Sequence, residues 1–440
     1  MSVRRVRHLF AIVPLLLPLG LAAQSQVDPL GRSVLFIRGA DGSGGLGSGT
    51  PQQRTAHLSD IQDTSTQPGN HGFGELAALL RSDGFTVSQW IESQGVLTAA
   101  LLLAHRIVVF GSNNRVYSAA EVSAFHTYMD AGGSALFMSD ANWGPDWDAA
   151  PKSDNQFLLR YGLSVYQDSA SGVPVISRST AGRFVQPTHP VVSGPDGAGP
   201  ADEVNDFDGE GVSYLHVERG SEGWVASVLV TATGFQVRQL SNTGQPGVLV
   251  AAGARDGAMV MAQKDDGLIL GHFDRNTFFN TNGTGTSLAS RDNRQLARNL
   301  FRTLASVQGR WQSIGPPCGG AGRTPALILG DPNLGRAMFW SLRGAAANQA
   351  TGLLLSLGSA KPSTIPGPCV VQVDLANAMY EPLGVTDATG SFVTSFALPN
   401  SHVLSGTKLT VQMVIASPVG PGLGVLELSD AAEVRLGFAR

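Results

Sequence analysis

Cysteine is nearly absent from this chain of 440 residues: there are two, Cys318 and Cys369. No thiol precedes residue 318, so the first three quarters of the chain can hold neither a cysteine nucleophile nor a thiolate metal cluster. Charge is also scarce. Asp, Glu, Lys and Arg make up 15 % of the residues, against about 25 % in an ordinary globular protein. The formal net charge is −4 and no basic run or stripe follows the N-terminal arginines. The electrostatic footprint of a nucleic-acid binder is therefore missing. Long apolar runs are absent after the N-terminal segment. The run at residues 9–21 is interrupted by Pro14 and Pro18 and is shorter than the ~20 residues a spanning helix needs.

What is present fits an exported protein. Arg4, Arg5 and Arg7 precede the apolar run, and Leu21-Ala-Ala23 closes it with small residues before Gln24. This is the pattern of a secretory signal over residues 1–23, whose removal leaves no membrane span. The alternative is an uncleaved anchor, which lacks a stop-transfer flank here. Arg4-Arg5 admits a twin-arginine route, but the rest of that pattern is loose. Cys318 and Cys369 are an even pair within one small domain and read first as a disulfide, as expected outside the cell. As metal ligands they lack nearby histidines. The 54 glycines and 24 prolines imply many turns.

The pattern along the chain divides it in two. Residues 34–37, Val-Leu-Phe-Ile, form a short apolar strand that exits into a glycine-rich loop at 39–49. A helix follows at 74–82, with Leu76, Leu79 and Leu80 on one face, then a strand at 85–90, a short apolar segment at 97–104 and a strand at 107–110. Ser118 with Glu121 makes a capping box for a helix that stops at Gly132-Gly133, and 135–138 is the next strand. Such alternation argues for a parallel sheet covered on both faces, an α/β flavodoxin-like domain. Residues 139–154 are a loop, 156–166 hold a short helix and strand, and 170–222 are rich in Gly and Pro. Strands are expected at 225–230, 247–252, 258–262 and 268–272, and a helix at 290–304. The α/β domain should span 30–307, with a linker at 308–317 ending in Pro316-Pro317. Beyond it, short strands at 326–329, 337–342, 352–357, 369–373, 391–396, 408–414 and 426–428 read as a small all-β sandwich domain over 318–440.

Several motifs of the first domain resemble those of class I glutamine-amidotransferase-like proteins, in the ThuA-like and related exported branches. They are the 34–37 strand with its glycine-rich exit, the 107–110 strand, Met129-Asp-Ala-Gly-Gly133 leading into the 134–138 strand, His189-Pro-Val-Val-Ser-Gly194, and Gly271-His-Phe-Asp-Arg-Asn276. The resemblance covers residues 30–307 and implies the fold rather than the activity. The family's nucleophile is a cysteine on a sharp strand-to-helix turn. The matching place here reads Met138-Ser-Asp-Ala-Asn142, without cysteine. The thiolate route to glutamine hydrolysis is thereby excluded. The β domain is similar to small domains appended to exported bacterial proteins.

Three constellations could carry chemistry. Ser139, His272 and Asp274 have the chain order of nucleophile, histidine and acid, and His272-Phe-Asp274 resembles the family's His-x-Glu. A serine triad follows if they meet. Against it, Phe137 stands where a nucleophile elbow needs a small residue, and His272 and Asp274 can equally be plain strand and turn residues. The second constellation gathers polar residues at strand carboxyl ends, where open α/β sheets bind ligands. It comprises Asp41, Ser112-Asn113-Asn114, Asp140, Asn142 and Asp274-Arg275-Asn276, with Trp143 and Trp147 able to stack on a sugar face. Asp and Asn also end strands simply because they make turns. The third is the glycine loop at 39–49, which lacks both the Lys-Ser/Thr of a phosphate loop and dinucleotide spacing.

Asp146, Asp148, Asp154, Asp206 and Asp208 could take calcium but have no EF-hand spacing. His57, His71 and His189 are scattered. No metal or cofactor is expected. Carbohydrate or another polar small molecule is the expected ligand, for binding or hydrolysis through Asp140. The other reading is a non-catalytic structural or adhesive module.

Overall fold

A computed structural model describes residues 32–38, 58–66, 71–91, 95–111, 113, 116–139, 149–169, 172–194, 201–280, 286–320, 322–399 and 404–438. The expected signal segment, the glycine loop and Asp41, Asp140, Asn142 and Trp143 lie outside them. The chain forms two compact units, one over residues 30–305 and one that includes 306–440.

The first unit begins as alternating strands and helices: β1 (Ser33–Arg38), α1 (Gly74–Ser82), β2 (Thr86–Ile91), α2 (Ala99–Leu103), β3 (Ile107–Phe110), α3 (Ala119–Asp130), β4 (Ser134–Met138) and α4 (Ala149–Leu158). Shorter elements follow: β5 (Leu163–Val165), β6 (Val175–Ser177), α5 (Pro190–Ser193), β7 (Asp206–Asp208), β8 (Leu215–Val217), β9 (Val225–Thr231), β10 (Gln236–Arg238) and β11 (Leu249–Ala251). The unit closes with β12 (Asp256–Lys264), β13 (Gly267–His272) and α6 (Asn293–Ala305).

The main sheet runs β2-β1-β3-β4-β13-β12-β8-β5, with β9 also paired to β12. Its first five strands are parallel, and this order reverses at β1 as in doubly wound folds. Strands β1, β3, β4 and β13 are buried along their whole length, which is why each reads as a continuous apolar run. Beyond β13 the pairing turns antiparallel. The expected parallel α/β sheet is thus present and is extended by antiparallel strands into a mixed sheet. Of these antiparallel strands, β8 comes from the Gly- and Pro-rich region and is too short to show a period, whereas β9 and β12 fall on the expected strands at 225–230 and 258–262.

Local chemistry sets the helices. The Ser118 hydroxyl accepts from the Glu121 N–H while the Glu121 carboxylate accepts from Ser118 N–H, so α3 starts on a complete capping box. His189 caps α5 through Nδ1, which accepts from the Val191 N–H at 3.3 Å, and Pro190 takes the first helical position. α1 starts at Gly74, where a Cβ would sit 2.3 Å from the Asp63 carbonyl oxygen. Among the described residues no helix is long and apolar enough to cross a membrane.

The second unit comprises β14 (Arg310–Ile314), β15 (Ala326–Leu329), β16 (Ala337–Arg343), β17 (Ala350–Leu357), β18 (Ser363–Thr364), β19 (Val370–Val371), β20 (Met379–Val385), β21 (Phe392–Ala397), β22 (Lys408–Ala416) and β23 (Leu426–Arg435). A five-stranded sheet, β14-β23-β22-β17-β20, and a three-stranded sheet, β15-β16-β21, are antiparallel throughout. Their inner faces share one core around Leu342, Trp340, Met413 and Val434. The expected linker at 308–317 is corrected: β14 lies inside it and pairs with β23. Its sequence, Arg-Trp-Gln-Ser-Ile, is a half-exposed edge strand with little apolar signal. Cys318 and Cys369 form a disulfide with Cα atoms 5.5 Å apart.

Candidate functional site

The carboxyl ends of β4 and β13 lie side by side. Met138 is in register with His272, and the Ser139 N–H donates to the His272 carbonyl at 2.9 Å. In a parallel pair, residues in register point to the same face and their successors to the other. Phe137 packs against Phe125 of α3 and Phe157 of α4, and Ser139 continues that alternation. The His272 ring instead meets Phe207 and Phe278. Ser139 and His272 therefore face opposite sides of the sheet.

The partners of His272 complete the case against a triad. Its Nδ1 lies 2.8 Å from the carbonyl oxygen of Asp274 and 3.2 Å from the Asp274 nitrogen. The Asp274 carboxylate takes the main-chain N–H of Glu210 with one oxygen and that of Asn276, at 2.8 Å, with the other. It shapes two turns and does not orient the imidazole. Gly209 is fitted to this carboxylate, since a Cβ there would come within 2.6 Å of Oδ2. Burial pushes His272 down to about 3, against the small opposing effect of its Asp274 main-chain bond. It is neutral across the physiological range. The structure does not assemble Ser139, His272 and Asp274 into a relay.

A different group converges on the Ser139 side. Asp154, on α4, is buried and accepts from Asn113 Nδ2 at 3.0 Å. Asn113 Oδ1 in turn accepts from the Tyr117 hydroxyl at 2.9 Å. The Ser139 hydroxyl lies close enough to Asp154 to favour its ionised form, though outside hydrogen-bond geometry. The buried Arg275 guanidinium acts on the same carboxyl through its charge. Burial outweighs these three and raises Asp154 to about 7. Its neighbours on α4 fix the helix. Asn155 accepts from Val165 N–H at 2.7 Å, and Gln156 exchanges two hydrogen bonds, of 2.8 and 2.9 Å, with the Tyr117 main chain.

Glu210 is hydrogen-bonded to the Asp274-Arg275-Asn276 turn. Its carboxyl is also raised to about 7, chiefly by burial and further by the charge of Asp168, with a hydrogen bond to Asn276 opposing. Asn276 Nδ2 donates to the Glu210 carbonyl at 3.4 Å. The turn is therefore flanked by two carboxyls that change protonation near neutrality. Such carboxyls can act as acids or bases in catalysis.

Of the residues expected at the strand ends, Asn113, Asp274, Arg275 and Asn276 lie in this region. Asp41, Asp140, Asn142 and Trp143 fall outside the described residues. Sequence reasoning took Asp154 only as one of several acidic loop residues and passed over Glu210. Of the others in that acidic set, Asp208 is a structural anchor. Its oxygens accept from Thr286, Ser290, Arg291 and Asn293 at the entry to α6. His71 stacks on Phe279. Among the described residues no set of three or more His, Cys, Asp or Glu side chains is arranged to hold a metal ion.

No family model matches the chain, and no curated protein matches it. Solved structures similar to it include the mmIFT52 N-terminal domain, 15 % identical with a TM-score of 0.38, covering 62 % of this chain and 97 % of that one. A cytoplasmic protein of Salmonella typhimurium, STM3548, is 12 % identical with a TM-score of 0.34, covering 62 % of this chain and 98 % of that one. A ThuA-like protein of Parabacteroides merdae is 13 % identical with a TM-score of 0.28, covering 61 % and 88 %. At these distances no family membership or activity carries over.

Proposed function

We propose that the first unit binds, and hydrolyses, a carbohydrate-like polar molecule at the carboxyl edge of its sheet, in an exported protein that is not a glutamine amidotransferase. The observation that carries this reading is Asp154, a carboxyl held inside the protein beside Asn113, Ser139 and the charge of Arg275. A carboxyl titrating near pH 7 can give a proton to the leaving oxygen of a glycosidic bond as the C–O bond breaks. Another carboxylate takes a proton from the attacking water, whose oxygen bonds to the carbon. Asp140, next in the chain after Ser139, is expected to work at the same edge. Export is supported by the N-terminal pattern and is consistent with the disulfide.

The test is a thermal-shift screen against mono- and oligosaccharides together with release of 4-nitrophenol from aryl glycosides. A saturable shift or turnover should fall about 100-fold in Asp154→Asn and Asp140→Ala and persist in Ser139→Ala. If Ser139→Ala abolishes it and Asp154→Asn spares it, the site is a serine hydrolase instead.

A second reading makes the β unit an adhesive module. Phe339, Val393 and Ile328 are exposed, at 61 %, 66 % and 42 %, on the three-stranded sheet, where Ile328 and Val393 flank Ser341 in register. No sugar response in the first unit, with surface or partner binding lost in Phe339→Ser, would favour it.

A further inference from the structure

We propose that His216 and Glu218 bind a divalent transition-metal ion, Zn²⁺ or Cu²⁺, at the antiparallel edge of the main sheet. His216 sits on β8 in register with Asp256 of β12 on one side and Ser164 of β5 on the other. Its ring is held on one side only. Nδ1 lies 2.6 Å from Asp256 Oδ1, and the Tyr166 hydroxyl braces both, at 3.1 Å from that oxygen and 3.3 Å from Nδ1. The other Asp256 oxygen accepts from the Gly253 N–H at 2.7 Å, so this buried carboxylate cannot turn away. An imidazole that gives its Nδ1 proton to a carboxylate presents the Nε2 lone pair outward, which is the usual second-shell arrangement behind a metal-binding histidine.

What faces Nε2 is a carboxylate. Glu218 Oε1 stands 3.8 Å away, too far for a hydrogen bond. Two ligands at ~2.1 Å from a tetrahedral ion lie roughly 3.4 Å apart. The gap therefore closes onto an ion with a shift of a few tenths of an ångström. Glu218 can make that shift because its side chain is 68 % exposed, and His216, at 26 %, is open to entering ions. Imidazole with carboxylate suits Zn²⁺ or Cu²⁺ better than Ca²⁺ or Mg²⁺. Water completes the coordination, since only two protein ligands are offered. A nucleophile–base pair across the strands is not formed: the hydrogen bonds of the His216 ring go to Asp256 and Tyr166, not to the Ser164 hydroxyl.

The experiment is calorimetric titration of the whole chain with ZnCl₂ at pH 7.5, with electron paramagnetic resonance of the Cu²⁺-loaded protein. The wild type should bind one equivalent more than His216→Ala, and its Cu²⁺ spectrum should show coupling to a single imidazole nitrogen that the variant lacks. Glu218→Gln, on an exposed side chain that leaves the fold unchanged, should weaken that equivalent about tenfold. Asp256→Asn should weaken it tenfold to a hundredfold. Equal stoichiometry in wild type and His216→Ala overturns the proposal, as does unchanged Zn²⁺ affinity in Glu218→Gln.

Discussion

Replacing Asp154 by Asn should make the protein more stable at neutral pH while removing the proposed glycoside hydrolysis. Burial raises this carboxyl from 3.8 to about 7 in the folded chain, whereas the unfolded chain leaves it near the ordinary value. The sign follows from proton binding. Below about pH 4 both states hold the proton and the group is neutral in its effect. Between about pH 4 and 7 the unfolded chain ionises first, so stability falls as pH rises. Above about pH 7 both are ionised and the loss is complete. The gap between 3.8 and about 7 corresponds to on the order of 4 kcal/mol. Asn at this position keeps an oxygen to accept from Asn113 Nδ2 and carries no ionisation cost. The stability difference, variant minus wild type, should then be small at pH 4 and grow to that size at pH 8. In a unit of this length it appears as a rise of roughly 10 °C in melting temperature. Thermal melts at half-unit steps of pH, followed through the buried Trp90 and Trp224 of the first unit, measure it. Other titrating groups cancel in the difference. A difference that stays flat from pH 4 to 8 would refute the placement of Asp154 in a desolvated site.

Three further outcomes follow from the same structure. His272 has the opposite sign: held at about 3 when folded, against 6.5 when free, it costs stability as pH falls from about 6.5 towards 3, and His272→Gln should flatten that acid limb in denaturant titrations. Asp208→Ala leaves the donors Thr286, Ser290, Arg291 and Asn293 without their shared acceptor and should lower the stability of the first unit by about 3–5 kcal/mol in urea unfolding, more than most surface carboxylates could. Removing the disulfide by Cys318→Ser with Cys369→Ser frees a loop with a sequence separation of 51 and should cost about 4 kcal/mol in the transition reported by the buried Trp340 of the second unit, leaving that of the first unit in place.

The parallel half of the fold was legible because its central strands are buried on both faces. Val-Leu-Phe-Ile, Ile-Val-Val-Phe and Ala-Leu-Phe-Met stand out without any alternation. The antiparallel half was less so. β6, β7, β8 and β10 have three residues each, too few to show a period of two, and their glycine-rich connections read as loop. β14 was hidden for another reason. An edge strand exposes most of its side chains, so Arg310–Ile314 carries polar residues and looks like linker until its pairing with β23 is seen.

The site was half legible, and the missing half is informative. Strand-end reasoning reached Asn113 and the Asp274–Asn276 turn because their place in the chain follows from the strands. It could not reach Asp154, which comes from a helix and meets Asn113 across 41 residues of sequence. The triad does not form because sequence order carries no sheet face: a one-residue step from Met138 to Ser139 turns the side chain away from His272. What separates Asp154 from Asp208 is satisfaction. Asp208 is buried with four side-chain donors and works as an anchor, so its burial needs no other reason. Asp154 is as buried, yet takes one full hydrogen bond and is left to titrate near neutrality. A neutral residue would fold better in its place. Carboxyls kept at such a cost concentrate where proton transfer or ligand binding requires them. If Asp154→Asn is both more stable at pH 8 and inactive, that cost is functional. If it is more stable and fully active, Asp154 belongs to the packing and the acid–base role passes to Asp140 or Glu210.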